Sequence, residues 1–185
     1  MTLPADHPMR RLLLLCTLCG CASAGTTSEN TTSKQAAIFS GEKGTIFAEA
    51  PRASVATIVA PPAAVWLAAK KVFADLDVPL AVENTSTHQM GNPNFFKSRT
   101  FGGEPMATLV DCGSGMTGPK AATYRIYISL LTSIATDGKG GTTVQTTFVP
   151  MGQDISAGIA DRIPCGSTGR LEANFLDRIN KTLVK

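Results

Sequence analysis

The sequence predicts an α+β fold of two layers, in which an antiparallel sheet with a long hairpin carries two main helices packed on one face. Three observations predict it. Apolar and β-branched residues alternate along two long segments, and the turn sequence DGKGG joins these segments. Two other segments repeat apolar residues at helical spacing, one near residue 65 and one at the C terminus. Helices that bracket an antiparallel sheet are typical of a two-layer domain.

The first strand and the first helix are predicted between residues 54 and 76. The segment SVATIVA (54–60) alternates and is rich in β-branched residues, which favours a strand. Pro61 and Pro62 end this strand and open a helix, because proline is tolerated in the first helical turn. Pro79 lies beyond its end. The predicted apolar face of the helix consists of Val65, Ala69, Val72 and Leu76, with Trp66 and Phe73 beside it.

The middle of the chain carries weaker signals. The segment LAVEN (80–84) predicts a short strand, and a polar passage with Gly, Asn and Pro follows it. Within that passage, residues 89–92 and 98–101 predict two brief strands, and residues 106–111 predict a helical turn.

The hairpin and the last helix carry the strongest signals. Alternation predicts a strand through Tyr124, Ile126, Ile128, Leu130 and Ile134, and a return strand with Val144, Thr146 and Phe148 on one face. The final segment, RLEANFLDRINKTLVK, predicts an amphipathic helix with the apolar residues Leu171, Phe175, Ile179 and Leu183.

The N-terminal segment has the layout of a secretory signal. Arg10 and Arg11 precede the apolar run 12–18, which is too short to cross a bilayer as a permanent helix. The run ends in Leu18-Cys19-Gly20-Cys21, which resembles the lipobox of bacterial lipoproteins, with Cys19 where Ala, Ser or Thr is more usual. The resemblance implies a signal peptide in residues 1–20 and lipid modification of Cys21. The alternatives to a lipoprotein are an ordinary signal peptide and a short buried helix with incidental thiols. Met9 is an alternative start of the chain.

The same resemblance implies how the chain is organised and where in the cell it is located. Residues 21–38 then form the lipidated cysteine and a Ser/Thr-rich tether with too few apolar residues to fold, and residues 39–185 form a single domain. Ala22 after the cysteine resembles the pattern of lipoproteins sent to the outer membrane, which implies its periplasmic face. The architecture of the domain is similar to the helix-grip or TBP-like domains of envelope lipoproteins such as BamC, although no residue motif is shared.

The composition argues against several classes of function. The net charge is +3, and no Lys/Arg stripe with interleaved aromatic residues occurs, so nucleic acid is not an expected partner. His88 is the only histidine beyond the signal segment, which excludes paired-histidine metal sites. The segment GSGMTGPK (113–120) departs from a phosphate-binding loop, because a proline precedes the lysine and an alanine follows it. We therefore expect no catalytic residues, no metal site and no cofactor.

Two cysteines remain in the folded part, Cys112 and Cys165. An even pair in an exported protein predicts a disulfide bond. Each cysteine begins a glycine-rich loop, and CGSTGR (165–170) precedes the last helix, whose N terminus can attract an anion. The alternative for this loop is simple helix capping. The predicted contact or anion site consists of Gly113, Ser114, Ser167, Thr168 and Arg170.

Two hypotheses for function follow. The first is a membrane-anchored, non-catalytic binding or scaffold module that contacts another envelope protein. The alternative is a binding or carrier domain for a small apolar ligand or lipid. A large apolar cavity between sheet and helices would favour the carrier, whereas a filled core with an exposed face would favour the scaffold.

Overall fold

The computed structural model describes residues 39–40, 45–46, 53–158 and 160–184. The predicted signal peptide (1–20) and the whole of the tether (21–38), including Cys21, lie outside the described residues. The main elements are, in chain order, β1 (Ala53–Ile58), α1 (Pro62–Asp75), β2 (Val82–Asn84), β3 (Gln89–Ser98), α2 (Met106–Leu109), β4 (Arg125–Thr136), β5 (Thr142–Gln153), β6 (Ile163–Pro164) and α3 (Arg170–Leu183).

The six strands form one antiparallel sheet. Its order is β6-β5-β4-β3-β2. Strand β1 also pairs with β5, along the same edge as β6 but at the opposite end of β5. The hairpin of β4 and β5 is in register from Arg125 opposite Gln153 to Thr136 opposite Thr142. The Asp137 carboxylate accepts hydrogen bonds from the backbone N–H groups of Lys139 and Gly141 and thereby fixes the turn. The structure confirms the predicted α+β class and the hairpin.

Four two-residue strand pairs and one 3₁₀ helix complete the described elements. The pairs are Phe39–Ser40 with Thr45–Ile46, Thr100–Phe101 with Glu104–Pro105, Val110–Asp111 with Gly166–Ser167, and Ser114–Gly115 with Gly118–Pro119; the 3₁₀ helix is Lys120–Ala122.

Helices α1 and α3 pack together against one face of the sheet. Phe73 of α1 and Phe175 of α3 meet edge to face, with ring centroids 5.0 Å apart. Every second residue of β4 and β5 points into this layer, as the period of two requires. Side chains with 1% exposure or less fill it, among them Val65, Val72, Ile126, Ile128, Leu130, Ile134, Val144, Phe148 and Ile179. Full burial of each of these large apolar side chains stabilises the fold by about 1.5–3 kcal/mol.

Strand β3 differs from its prediction. The sequence predicted two brief strands, at 89–92 and 98–101, but one ten-residue strand runs from Gln89 to Ser98 along β4. The register shifts where Pro93 and Asn94 together lie opposite Ser129, which is a β-bulge. The extra residue interrupts the alternation of inward and outward side chains, so the sequence pattern breaks in the middle of a continuous strand.

The bulge decides which phenylalanine faces the helices. Asn92 lies opposite Leu130 and points inward, and Phe95, three residues later, lies opposite Ile128 and also points inward. Phe96 consequently points to the other face of the sheet, where it is 56% exposed.

Gly91 allows β3 and β4 to approach each other just before the bulge. Its φ is 146°, and a Cβ at this position would lie 2.2 Å from the carbonyl oxygen of Leu130. Such a distance is a severe backbone clash, so the close approach of the two strands requires glycine here.

Candidate functional site

Cys112 and Cys165 form a disulfide bond on the helix side of the sheet. This is the bond that the sequence predicted. The two sulfur atoms are 2.08 Å apart, and the bridge joins positions 53 residues apart. The bridge lies at one end of the strand pair Val110–Asp111 with Gly166–Ser167, directly beside the pairing of Asp111 with Gly166. A Cβ on Gly152 of β5 would lie 2.9 Å from the Cys165 sulfur and 3.1 Å from the Cys112 sulfur. The bridge therefore packs directly on the bare backbone of β5 and fixes the start of α3 against the sheet.

The polar groups of the loop before α3 are engaged within the chain. The Ser167 hydroxyl lies 2.7 and 2.9 Å from the two carboxylate oxygens of Glu172. The Thr168 hydroxyl donates to the carbonyl oxygen of Thr108 at 2.8 Å. The Arg170 guanidinium lies 3.5 Å from the carboxylate of Glu104. Helix α3 begins after Gly169, which adopts a left-handed φ of 81° and offers no capping side chain.

Glu172 is a buried ionisable group that the sequence analysis did not include in the predicted site. It stands at the third position of α3, and its side chain is 2% exposed. Burial raises its pKa above the usual value, although the hydrogen bond from Ser167 acts in the opposite direction. An acidic residue in the first turn of a helix is favoured by the helix dipole, which is the signal that the sequence carried, although Gly169 at the N-cap provides no Ser or Thr for a capping box. Ser167, predicted as part of a site for an external anion, thus binds the chain's own carboxylate.

The other two predicted residues, Gly113 and Ser114, lie in the first glycine-rich loop. The Gly113 N–H donates to the side chain of Asp111 at 2.8 Å, and its carbonyl oxygen accepts from the N–H of Lys120 at 3.0 Å. Ser114 begins the small hairpin with Gly118–Pro119 and is exposed. The disulfide brings the two loops together, but the polar groups described here bind one another rather than converging on a shared space.

The sheet face opposite the helices carries an aromatic–arginine cluster, which we define as Phe96, Arg125, Tyr127 and Arg162. Tyr127 of β4 lies opposite Phe96 of β3, and the two ring centroids are 6.0 Å apart. The Arg125 guanidinium carbon lies 4.9 Å from the centre of the Phe96 ring. That of Arg162 lies 3.4 Å from the centre of the Tyr127 ring. Each ring therefore carries a stacked cation, an arrangement favoured by the ring quadrupole.

The electrostatic environment of the cluster is positive. The Tyr127 hydroxyl donates to the Gln153 side chain at 2.9 Å. The hydrogen bond with Arg125 lowers the pKa of Tyr127 below its usual value, and the charges of Arg125 and Arg162 act in the same direction. The ion pairs found among the described residues involve other cations, so neither guanidinium of the cluster has a carboxylate partner there.

We call the sheet face opposite the helices the open face. Apolar side chains lie on it beside the cluster. Met151 of β5 lies opposite Tyr127, and Val149 lies opposite Ser129 one step further along the hairpin. Leu131 follows on β4, and all three are half-buried. We call Leu131, Val149 and Met151 the apolar strip. Nothing in the sequence joined these residues to Phe96 or Arg162, because they come from separate parts of the chain.

A cavity of about 10 Å³ lies between α3 and the turn at Gly102. Leu76, Phe101, Leu171 and Phe175 are among the residues that line it. This volume has room for about one water molecule, whereas pockets for small-molecule ligands span about 300–1,000 Å³.

Comparisons with known protein families and with curated proteins find no match to the chain. Within the part of the chain that the structure describes, no helix combines the length and apolar character needed to span a bilayer. The same part contains no group of three or more His, Cys, Asp or Glu side chains arranged to hold a metal ion.

Proposed function

We propose that the chain is a membrane-anchored envelope lipoprotein whose folded domain is a non-catalytic binding or scaffold module. The signal-like segment and the lipobox ending at Cys21 support the lipid anchor. Ala22 supports a location at the periplasmic face of the outer membrane. Modification with several acyl chains makes such an anchor stable, because each buried methylene contributes about 0.8 kcal/mol. The partner is another envelope protein rather than nucleic acid.

The observation that carries the binding function is the contrast between a filled core and an open sheet face. Among the described residues, the helix side is packed with side chains of 1% exposure or less, and the cavity between α3 and the turn at Gly102 has room for about one water molecule. This packing favours a scaffold over a carrier of apolar ligands, which needs a much larger enclosed space. The opposite face presents Phe96 at 56% exposure beside the apolar strip, which is typical of an interaction surface.

The anchor is tested by metabolic labelling with an alkyne fatty acid in the full-length protein. Wild type should be labelled and should stay in the membrane fraction, whereas Cys21→Ser should lose both properties. Cys19→Ser is the matched control, because it removes a neighbouring thiol and leaves the proposed lipidation site intact. Equal labelling of Cys21→Ser and wild type would refute the anchor.

The binding function is tested by site-specific photocrosslinking in intact cells. A photoreactive amino acid at Ser133, on the open face, should give a defined crosslinked product. The same amino acid at Ala74, an exposed position of α1, should not give that product. Identical product patterns from the two positions would refute the open face as the binding surface.

A further inference from the structure

The two arginines of the aromatic–arginine cluster are held in place without a counter-ion. Each guanidinium lies on an aromatic ring, and neither forms an ion pair with another described residue. A guanidinium carries five N–H donors in a planar fork that matches a carboxylate, so donors remain on each arginine besides those that contact Tyr127. The cluster therefore presents positive donors beside the apolar strip.

The geometry distinguishes among the classes of anionic partner. Nucleic-acid surfaces need free aromatic faces on which bases can stack, but the guanidinium of Arg162 lies 3.4 Å from the centre of the Tyr127 ring and occupies that ring's face. Binding to anionic membranes by charge alone takes about 4–8 clustered basic residues. The cluster has two arginines, and its neighbours on the sheet are Ser129, Val149 and Met151.

An extended peptide fits both parts of this surface. Side chains alternate along a strand, so carboxylates two positions apart stand on one side about 7 Å from each other. Apolar side chains further along that same side of the segment can then pack on the apolar strip of Leu131, Val149 and Met151.

We propose that the open face of the sheet binds an extended acidic segment of a partner protein, with its carboxylates on Arg125 and Arg162 and its apolar side chains on the apolar strip. This inference rests on the proposed binding function and specifies its partner by charge and shape. It does not depend on the lipid anchor.

The test uses full-length protein purified in neutral detergent and a fluorescein-labelled eight-residue peptide with blocked ends, the Glu-Val peptide, which carries Glu at positions 1 and 3, Val at positions 5 and 7 and Ser at the even positions, so that Glu and Val share one side of the extended chain. Fluorescence anisotropy should show saturable binding that weakens as salt is added. The same peptide with Gln in place of Glu should bind at least tenfold more weakly. Absence of saturable binding of the Glu-Val peptide to folded protein would overturn the proposal.

Variants locate the binding. R125Q/R162Q should weaken Glu-Val binding about tenfold, because two exposed ion pairs are lost. K139Q removes one positive charge from the exposed hairpin turn and should stay within about twofold of wild type. The charge reversal R125E/R162E should prefer the same peptide with Lys in place of Glu. Equal binding of Glu-Val by wild type and R125Q/R162Q would overturn the proposal.

Two further probes separate the alternative partners. Vesicles of phosphatidylcholine with 30% phosphatidylglycerol test a lipid surface, and a ten-nucleotide oligothymidine tests single-stranded nucleic acid. Tighter binding of either probe than of the Glu-Val peptide, with loss in R125Q/R162Q, would assign the cluster to that ligand instead. Labelling of Cys21 and peptide binding are separate measurements, so failure of the anchor and failure of this inference are distinguishable.

Discussion

The two faces of the sheet are built from the same strands and differ in what covers them. On one face, Phe148 and Leu130 are almost fully buried beneath α1 and α3. On the other, Phe96 is 56% exposed, and the apolar strip is half-buried by its neighbours. Burial against the helices supplies the driving force for folding, whereas an aromatic side chain left in water contributes little. We therefore expect stability to depend on the covered face and binding to depend on the open face.

Removal of one phenylalanine from each face should show the largest contrast. Phe175→Ala takes a ring from the covered layer and should lower the free energy of unfolding by about 4 kcal/mol, since it leaves a cavity. Phe96→Ala should cost less than about 1 kcal/mol. Urea unfolding of the full-length variants measures both values. Equal losses would show that the open face is also part of the core.

The disulfide sharpens the comparison, because it packs on the covered face at Gly152. Removing it with Cys112→Ala/Cys165→Ala should destabilise the fold by about 4 kcal/mol in the chain-entropy model for a separation of 53 residues. Thermal unfolding with and without reductant measures the effect. Reductant should lower the melting temperature of wild type and leave the double variant unchanged; a wild type insensitive to full reduction would contradict the prediction.

The hydrogen bond between Ser167 and Glu172 should have an intermediate effect. Ser167→Ala leaves a buried carboxylate without its hydroxyl donor and should cost about 2 kcal/mol. Ser133→Ala is the matched control on the open face and should stay within about 0.5 kcal/mol of wild type. Chemical denaturation compares the two, and a loss at Ser133 as large as that at Ser167 would remove the distinction between the faces.

The pH dependence of stability should show the smallest effect. Because burial raises the folded-state pKa of Glu172 above 4.5, the folded protein holds this proton more tightly than the unfolded chain does. The stabilisation is fully present below pH 4.5 and is lost as the pH rises through the raised pKa. Glu172→Gln should remove this part of the slope in unfolding experiments between pH 4 and pH 8. An unchanged slope in Glu172→Gln would show that the carboxylate does not titrate in this range.

The sequence predicted the elements whose patterns are long and regular. The hairpin alternates over twelve residues on each side, and α3 repeats Leu171, Phe175 and Ile179 at helical spacing, so burial and periodicity agree. Strand β3 was predicted only in fragments, because the bulge at Pro93 and Asn94 breaks its alternation.

The candidate functional residues were likewise predictable only in part. The disulfide could be predicted, since the folded part of the chain contains only two cysteines. The aromatic–arginine cluster could not, because Phe96, Tyr127 and Arg162 come from three separate segments that only the sheet register brings together. Local patterns carry no information about such pairings across strands.

The bulge in β3 also makes the length of this strand tolerant of evolutionary change. Loss of one codon at Pro93 or Asn94 would leave a single residue opposite Ser129, with Phe95 still opposite Ile128 and Phe96 still opposite Tyr127. Loss of a codon between Phe96 and Ser98 would instead shift the residues beyond it to the opposite face. In an alignment of homologues, a one-residue gap at the bulge would therefore mark a chain that keeps the same side chains on the open face.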